Sequence, residues 1–269
     1  MNKVAKGKFN FISDIIYILI LLLITETFSF FLFRLKDIYL LLIGIFGLVL
    51  LEFWFGRAFY LYSSKKISKY SDVVMKISLK KRFFQYFVIP AIFYISLLFF
   101  IYFNRNIYLG HTVIIVSISF LLILFMNVRS SLNQFYSVAY ATKAIFDFIC
   151  ISTLFLLLNT YLRLGLSLFH YSTLSLISSA VLFLSILKLH DRLGVLECLI
   201  SLLSAVIVSA SMIFVWNYNN PFITPAVGTL AFYLIVSFWN IRFSGKTRLS
   251  EYIYPLLYVI FALVLILLS

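Results

Sequence analysis

The sequence has little charge, and acidic residues are much scarcer than basic ones. Of its 269 residues 12% are charged, with 9 Asp and Glu against 22 Lys and Arg, and 64% are hydrophobic. A soluble domain is about 25% charged and about 45–50% apolar. This composition excludes an ordinary soluble domain and indicates a chain whose surface largely faces lipid.

Long polar segments are also missing. The apolar residues come in runs of about 20, which is the length that a helix needs to cross a bilayer. The inside/outside alternation of spanning strands is absent too. We predict an all-α polytopic transmembrane bundle, one domain over 1–269, with about nine spans. The first run shows no signal-peptide cleavage pattern and is expected to be the first span. The predicted spans are 11–33, 38–62, 84–103, 108–127, 144–162, 169–187, 194–216, 221–239 and 251–268.

Motifs of several function classes do not occur in the sequence. The two cysteines, Cys150 and Cys198, lie in apolar runs, and no Cys/His cluster has zinc-ligand spacing. Neither G-x-x-x-x-G-K-[ST] nor G-x-G-x-x-G is present, and a serine-nucleophile motif is absent. His111 and His170 are the only histidines at matching depth for a haem, and nothing else supports one. We therefore predict no metal site from these patterns, and no nucleic-acid partner.

The cations that are present predict an orientation. With the N-terminus inside, the inner segments hold 17 of the 22 Lys and Arg and the outer loops hold 4. Lys and Arg in short loops are retained on the cytoplasmic side. The sequence thus predicts a cytoplasmic N-terminus and an outside C-terminus. Its Phe-, Ile-, Lys- and Tyr-rich composition favours a bacterial cytoplasmic membrane.

Seven of these cations lie in the segment 65–82, KKISKYSDVVMKISLKKR, beside one acid, Asp72. Positive-inside retention explains the sign of this loop. It would also attract anionic headgroups, at ~1 kcal/mol per cation. Two interpretations remain: a topology signal, or a site for an anionic lipid or a diphosphate.

Charged residues within or beside the spans are candidates for function, because burying a charge in a membrane is costly. Glu52 and Arg57 lie in the second predicted span, about 140° apart around a helix at ~100° per residue. They therefore point to different sides, and Glu52 either lines a cavity or makes a structural contact. The second inner loop holds His190, Asp191 and Arg192. It is either solvated or meets 65–82 at the mouth of a shared cavity.

Three segments resemble the UbiA superfamily of intramembrane prenyltransferases. MKISLKKRFFQYFVIPAIF, from Met75, is similar to the start of the family's third helix, and SSKKISKYSD to the basic stretch before it. YSVAYATKAIFD, with Tyr136, Ser137, Lys143 and Asp147, resembles the loop after the fourth helix. LKLHDRLG, with Asp191, Arg192 and Gly194, resembles the loop after the sixth. Nine spans with a cytoplasmic N-terminus agree with this family.

The resemblance implies a protein that binds an isoprenoid lipid. If it is a prenyltransferase, its donor substrate is a prenyl diphosphate and its cofactor is Mg²⁺. It implies a catalytic role for Asp191. From their charge and position we expect polar cavity positions at Glu52 and His190. The expected anion-binding residues are Arg57, Lys65, Lys66, Tyr136, Lys143 and Arg192. The family's first aspartate positions fall at Gly56, Phe59 and Ser63. Since none is acidic, this departure argues against metal-dependent transfer.

Two other functions fit the same sequence. One is a non-catalytic subunit or scaffold of a larger membrane complex, with protein partners besides membrane lipids. The other is a small-molecule transporter, since Pro221, Pro225 and Gly228 make the eighth span a candidate broken helix of the transporter type.

Overall fold

The computed structural model describes residues 11–63, 83, 87–104, 106–133, 139–190, 192, 194–216, 220–245 and 248–268. Within these ranges the regular structure is helical and no strand occurs, as predicted for an all-α bundle. The nine helices of the described part are α1 (Phe11–Phe31), α2 (Asp37–Ser63), α3 (Ile89–Asn104), α4 (Ile107–Asn133), α5 (Ala139–Arg163), α6 (Leu168–Leu189), α7 (Val195–Ile213), α8 (Ile223–Phe243) and α9 (Leu249–Leu268).

Eight of these helices are long and apolar enough to cross a membrane. The ninth, α3, has 16 residues, a length of about 24 Å at 1.5 Å per residue. It begins five residues after the start of the predicted span 84–103, and a π-helical turn at Phe87 and Val88 precedes it. The fold is a polytopic helical bundle in which one member is short.

Contacts along α2 show that α3 runs the length of the bundle. At one end, Tyr102 Oη of α3 donates a hydrogen bond of 3.0 Å to Asp37 Oδ1, the first residue of α2. At the other end, a Cβ placed on Gly56 of α2 would lie 4.0 Å from Phe87 Cε1. The short helix and the turn before it therefore lie antiparallel to α2 over about five turns of that helix.

The helix ends that the cation count places outside the membrane lie together in the structure. Glu26 Oε2, near the end of α1, lies 2.6 Å from His111 Nδ1, near the start of α4. Asn104 Nδ2, at the end of α3, donates to Asn159 Oδ1, near the end of α5, at 2.7 Å. These contacts support the alternating direction of the first five helices, while the side of the membrane stays a prediction.

The central helix is α5, which packs against α3, α4, α6 and α8. Within its spanning window 56% of the residues are buried, against 6% for α9, which packs mainly on α8. On one side of α5, α1, α2 and α4 pack together with α3; on the other, α6, α7 and α8 pack together. A polar side chain on α5 is thus surrounded by protein rather than by lipid.

Small side chains fill the contact between α6 and α7. Ser175, Ser179, Ser201 and Ala205 are fully buried there. Small residues let membrane helices approach closely, which gains van der Waals contact where no hydrophobic effect acts between helices.

The eighth helix is not broken, so the predicted interruption is wrong. α8 is continuous from Ile223 to Phe243. Pro225 lies in its first turn, where a backbone N–H has no partner within the helix in any case. Gly228 instead provides a close approach, since a Cβ there would lie 2.5 Å from Met212 Sδ of α7.

Candidate functional site

The most deeply buried charged side chain of the described part is Asp147 on α5, 5% exposed and two turns from the start of that helix. Asn240 Nδ2 of α8 donates a hydrogen bond to Asp147 Oδ2 at 2.7 Å. A carboxylate inside a membrane helix is costly and usually faces a partner or a polar interior. Here it ties the central helix to α8.

Each of these two side chains also carries an acceptor that the bond does not use. Asp147 Oδ1 and Asn240 Oδ1 are both buried, and neither has a hydrogen-bond partner among the residues that the structure describes. Lys143, four residues before Asp147 and therefore one helical turn away, is half-buried, and its positive charge acts on the carboxylate. The site thus combines a cation with unused acceptor oxygens.

The end of α6 completes this site. His190 follows the last residue of α6, and its imidazole packs against the ring of Phe243 of α8 with centroids 5.0 Å apart. Phe243 is three residues beyond Asn240 and lies on the same face of α8. We call Lys143, Asp147, His190 and Asn240 the inner polar cluster, since the predicted orientation places these helix ends on the cytoplasmic side.

Further cations lie at the same helix ends as the inner polar cluster. Lys188 is in the last turn of α6 and Arg242 in the last turn of α8. Arg192 is exposed after α6, and its backbone N–H donates to Leu187 O at 3.0 Å. Cations at helix C-termini are favoured by the helix dipole. Their number at this end makes it attractive to an anionic group.

Arg57 and Glu52 lie on a different set of helices. Both belong to α2, which packs against α1, α3 and α4. The Arg57 guanidinium lies 5.3 Å from the centroid of the Tyr17 ring on α1, and Glu52 is half-buried. Of the predicted site residues, Lys143 lies one turn from Asp147 on α5, His190 packs on Phe243 of α8, and Arg192 follows at the end of α6.

Four predicted site residues lie outside the described residues: Lys65, Lys66, Tyr136 and Asp191. The same holds for the whole basic segment 65–82. Their roles, and the shared cavity mouth between the two polar loops, stay predictions.

The described residues do not fit the Mg²⁺ site that the resemblance implies. Mg²⁺ in proteins is anchored through carboxylates and phosphate oxygens in near-octahedral geometry. The positions expected to carry the first carboxylates are Gly56, Phe59 and Ser63 of α2. In the described ranges no three His, Cys, Asp or Glu side chains group as metal ligands.

The sequence contained one signal for this site that was not used to assign a role. Asp147 is an acid inside an apolar predicted span, which by itself marks a candidate functional residue. Asn240 directly follows the predicted span 221–239 and carries no comparable signal. Only the packing of α5 against α8 identifies it as the partner of Asp147.

Comparison with known proteins finds no matching family model, no matching curated protein and no matching solved structure.

Proposed function

We propose that this protein is a UbiA-like membrane protein that binds an isoprenoid lipid through its phosphate or diphosphate group at the inner polar cluster. The observation that carries the proposal is the position of Asp147, buried on the central helix, bonded to Asn240 and one turn from Lys143. Polar groups of α5 and α8 meet there, and His190 at the end of α6 packs on the same face of α8.

The cations of this end provide the contacts for the anionic group. An ammonium or guanidinium makes short, charge-assisted hydrogen bonds to phosphate oxygens. Lys143 is half-buried one turn from Asp147, and its charge acts on that carboxylate. Arg192 and Arg242 are exposed at the same end of the bundle, and their planar guanidinium groups suit a phosphate.

An aromatic surface beside the cluster suits the hydrocarbon chain. Trp239 and Phe243 of α8 are half-buried, with ring centroids 6.4 Å apart, and Trp239 packs on Phe183 of α6 at 5.0 Å. His190 packs on the same Phe243. The first isoprene units of a lipid bound at the cluster would lie along these rings.

The proposal concerns lipid binding only. Catalysed prenyl transfer would be a further step. Since the described residues do not fit a Mg²⁺ site, we derive no transfer step. An assay for transfer from prenyl diphosphates, with and without Mg²⁺, decides whether the bound lipid is also turned over.

Binding is tested with the purified full-length protein and farnesyl diphosphate, geranylgeranyl diphosphate or undecaprenyl phosphate, using native mass spectrometry and titration. We expect saturable binding of at least one of them. Lys143→Gln should weaken it about tenfold or more, because a hydrogen bond to a charged group contributes ~1.5–3 kcal/mol. Arg163→Gln, an exposed cation at the opposite end of the same helix, is the matched control and should bind as the wild type does. Absence of saturable binding, or equal binding by Lys143→Gln, contradicts the proposal.

A second candidate function is cation-coupled transport, which the buried carboxylate of Asp147 favours. Intramembrane acids on central helices commonly mark ion or proton pathways, and Asp147 Oδ1 has no hydrogen-bond partner in the described part. A proteoliposome flux that Asp147→Asn abolishes would support transport. A flux screen without signal for any substrate would count against it.

A further inference from the structure

A groove of about 390 Å³ lies between α1 and α2, at the opposite end of the bundle from the inner polar cluster. Its walls are aliphatic or aromatic except for Thr27, whose hydroxyl donates to Leu23 O at 2.6 Å and is thereby satisfied. Several lining side chains are largely exposed, so the groove opens on the lipid-facing surface; these are Leu23, Leu42 and Phe46.

The groove leads to a cation. Its lining residues on α1 follow the spacing of one helix face, and they are Ile20, Leu23, Ile24 and Thr27. Three residues further on, the same face carries Phe30. The guanidinium of Arg34 lies 4.2 Å from the centroid of the Phe30 ring, and Arg34 is exposed. The apolar face that lines the groove therefore continues along α1 to Phe30, over which an exposed cation lies.

The other charges of this connection leave Arg34 available to an anion. Lys36 is exposed and adds a second positive charge. Asp37, the acid of the same connection, accepts a hydrogen bond from Tyr102 Oη of α3 at 3.0 Å and so faces α3. Tyr39, also exposed, stands one turn before the groove residue Leu42, where tyrosines favour the membrane interface.

We propose that this groove is a binding site for an anionic phospholipid of the bilayer, with one acyl chain in the groove and the phosphate on Arg34. The apolar walls match the chain, and the guanidinium matches the phosphodiester in charge and hydrogen-bond geometry. The groove opens sideways into the lipid, so a bilayer lipid enters it without leaving the membrane. The site is separate from the inner polar cluster and does not depend on the function proposed for it.

The test uses the full-length protein in nanodiscs of equal parts phosphatidylglycerol and phosphatidylethanolamine, with retained lipids counted by native mass spectrometry after release. We expect retained phosphatidylglycerol to exceed phosphatidylethanolamine. Arg34→Gln should lower that ratio about fivefold, the effect of one cation near anionic lipid. Thr27→Phe, which fills the groove from an accessible position, should lower retention of both lipids.

Arg163→Gln is the matched control. Arg163 is exposed at the same end of the bundle and also lies over an aromatic ring, that of Phe222 at 5.5 Å, but it belongs to α5 rather than to the groove. Its replacement should leave the lipid ratio unchanged.

Three outcomes would overturn the proposal. The first is equal retention of the two lipids by the wild type, and the second is a wild-type lipid ratio in Arg34→Gln. The third is preferential retention of undecaprenyl phosphate over phosphatidylglycerol in nanodiscs that contain both, which would assign the groove to an isoprenoid lipid. Because Lys143 variants report on the inner polar cluster and Arg34 variants on the groove, failure of either proposal is recognised separately.

Discussion

At the scale of single residues, most buried hydroxyls of this bundle are satisfied within their own helix. Thr25 donates to Leu21 O at 2.8 Å, Thr153 to Ile149 O at 2.6 Å and Thr160 to Leu156 O at 2.7 Å. In lipid a polar group without a partner costs several kcal/mol, and this local bond removes the cost wherever the helix is placed. The polar contacts that join different helices are therefore the ones that select a particular arrangement.

The bond between Asp147 and Asn240 is expected to stabilise that arrangement. In a double-mutant cycle of Asp147→Ala and Asn240→Ala, we expect a coupling of about 1.5–3 kcal/mol, the range for hydrogen bonds to charged groups. Unfolding of the purified protein by denaturant in detergent measures it. The exposed pair Asp37 and Tyr102 is the control, with Asp37→Ala and Tyr102→Phe, and its coupling should be smaller. Equal couplings for the two pairs would contradict the expectation.

Gly47 is a position where one methyl group should matter. A Cβ there would overlap the side chain of Tyr94, which is fully buried on α3. Gly47→Ala should lower the free energy of unfolding by about 1–3 kcal/mol, the usual cost of overpacking. Thermal unfolding in detergent measures the change.

Gly56 on the same helix is the control for Gly47. A Cβ at Gly56 meets its nearest atom, Phe87 Cε1, at an ordinary contact of 4.0 Å. Gly56→Ala should be neutral or stabilising, because Ala is about 1 kcal/mol more favourable than Gly in a helix. Adding Tyr94→Phe to Gly47→Ala should recover part of the loss, and no recovery would mean that the hydroxyl is not the obstacle.

At the scale of elements, the helices were predictable where a long apolar run defines them. The bounds of α1, α2, α6, α7 and α9 lie within about three residues of the predicted spans, because bilayer thickness sets the length of an apolar run. The larger differences are at α4, which ends six residues beyond its predicted span, at α5, which begins five residues before its own, and at α8, which ends four residues beyond. For the third span, predicted from 84, the described α-helix begins at Ile89 after a π-helical turn, and residues 84–86 lie outside the described residues. Pro225 was misread as an interruption, because a proline has different effects in a first turn and in a helix interior.

The contact between α6 and α7 gives a prediction about an element pair. Ser201 is fully buried, and its hydroxyl has no hydrogen-bond partner within the part of the chain that the structure describes. Ser201→Ala removes that hydroxyl at similar volume and should be neutral or stabilising. Ser201→Leu should separate the helices and lower the thermal unfolding temperature clearly. If both substitutions destabilise the protein equally, this contact requires the hydroxyl group of Ser201 and not only its small volume.

At the scale of the whole molecule, the structure shows which helix ends lie together, and the cation distribution predicts which side they face. Single cysteines in a Cys198→Ser background test this in intact cells with a membrane-impermeant maleimide, since the remaining Cys150 is fully buried. We expect labelling from outside at three exposed positions, Lys36→Cys, Tyr108→Cys and Leu164→Cys. Labelling only after permeabilisation is expected at Arg192→Cys and Ser244→Cys.

The labelling pattern also counts crossings. Lys36 precedes α2 and Tyr108 follows α3, so labelling of both from outside means that the short α3 crosses the membrane with α2. Labelling on opposite sides would mean that it does not. A reversed pattern at all five positions would keep the bundle and overturn the predicted orientation.

The candidate site was only partly predictable from the sequence. Lys143 and Arg192 were indicated by the family resemblance and His190 by its polar inner loop, and the structure places them in the early turns of α5 and just after α6. Arg57 and Glu52 were grouped with them, but α2 packs elsewhere and Arg57 lies on Tyr17. Which neighbour a residue faces depends on the helices that pack around its own helix. The sequence of one helix does not contain that information.

The sequence by itself determined the membrane class and the helical fold of this protein, because both follow from local runs of apolar residues whose length matches a bilayer. Only the tertiary structure decided which polar groups meet. Asp147 and Asn240 are 93 residues apart in the chain, and Glu26 and His111 are 85 residues apart. Such contacts depend on how each helix is rotated against its neighbours and on how closely small residues let them approach. Neither property produces a periodic pattern in the sequence.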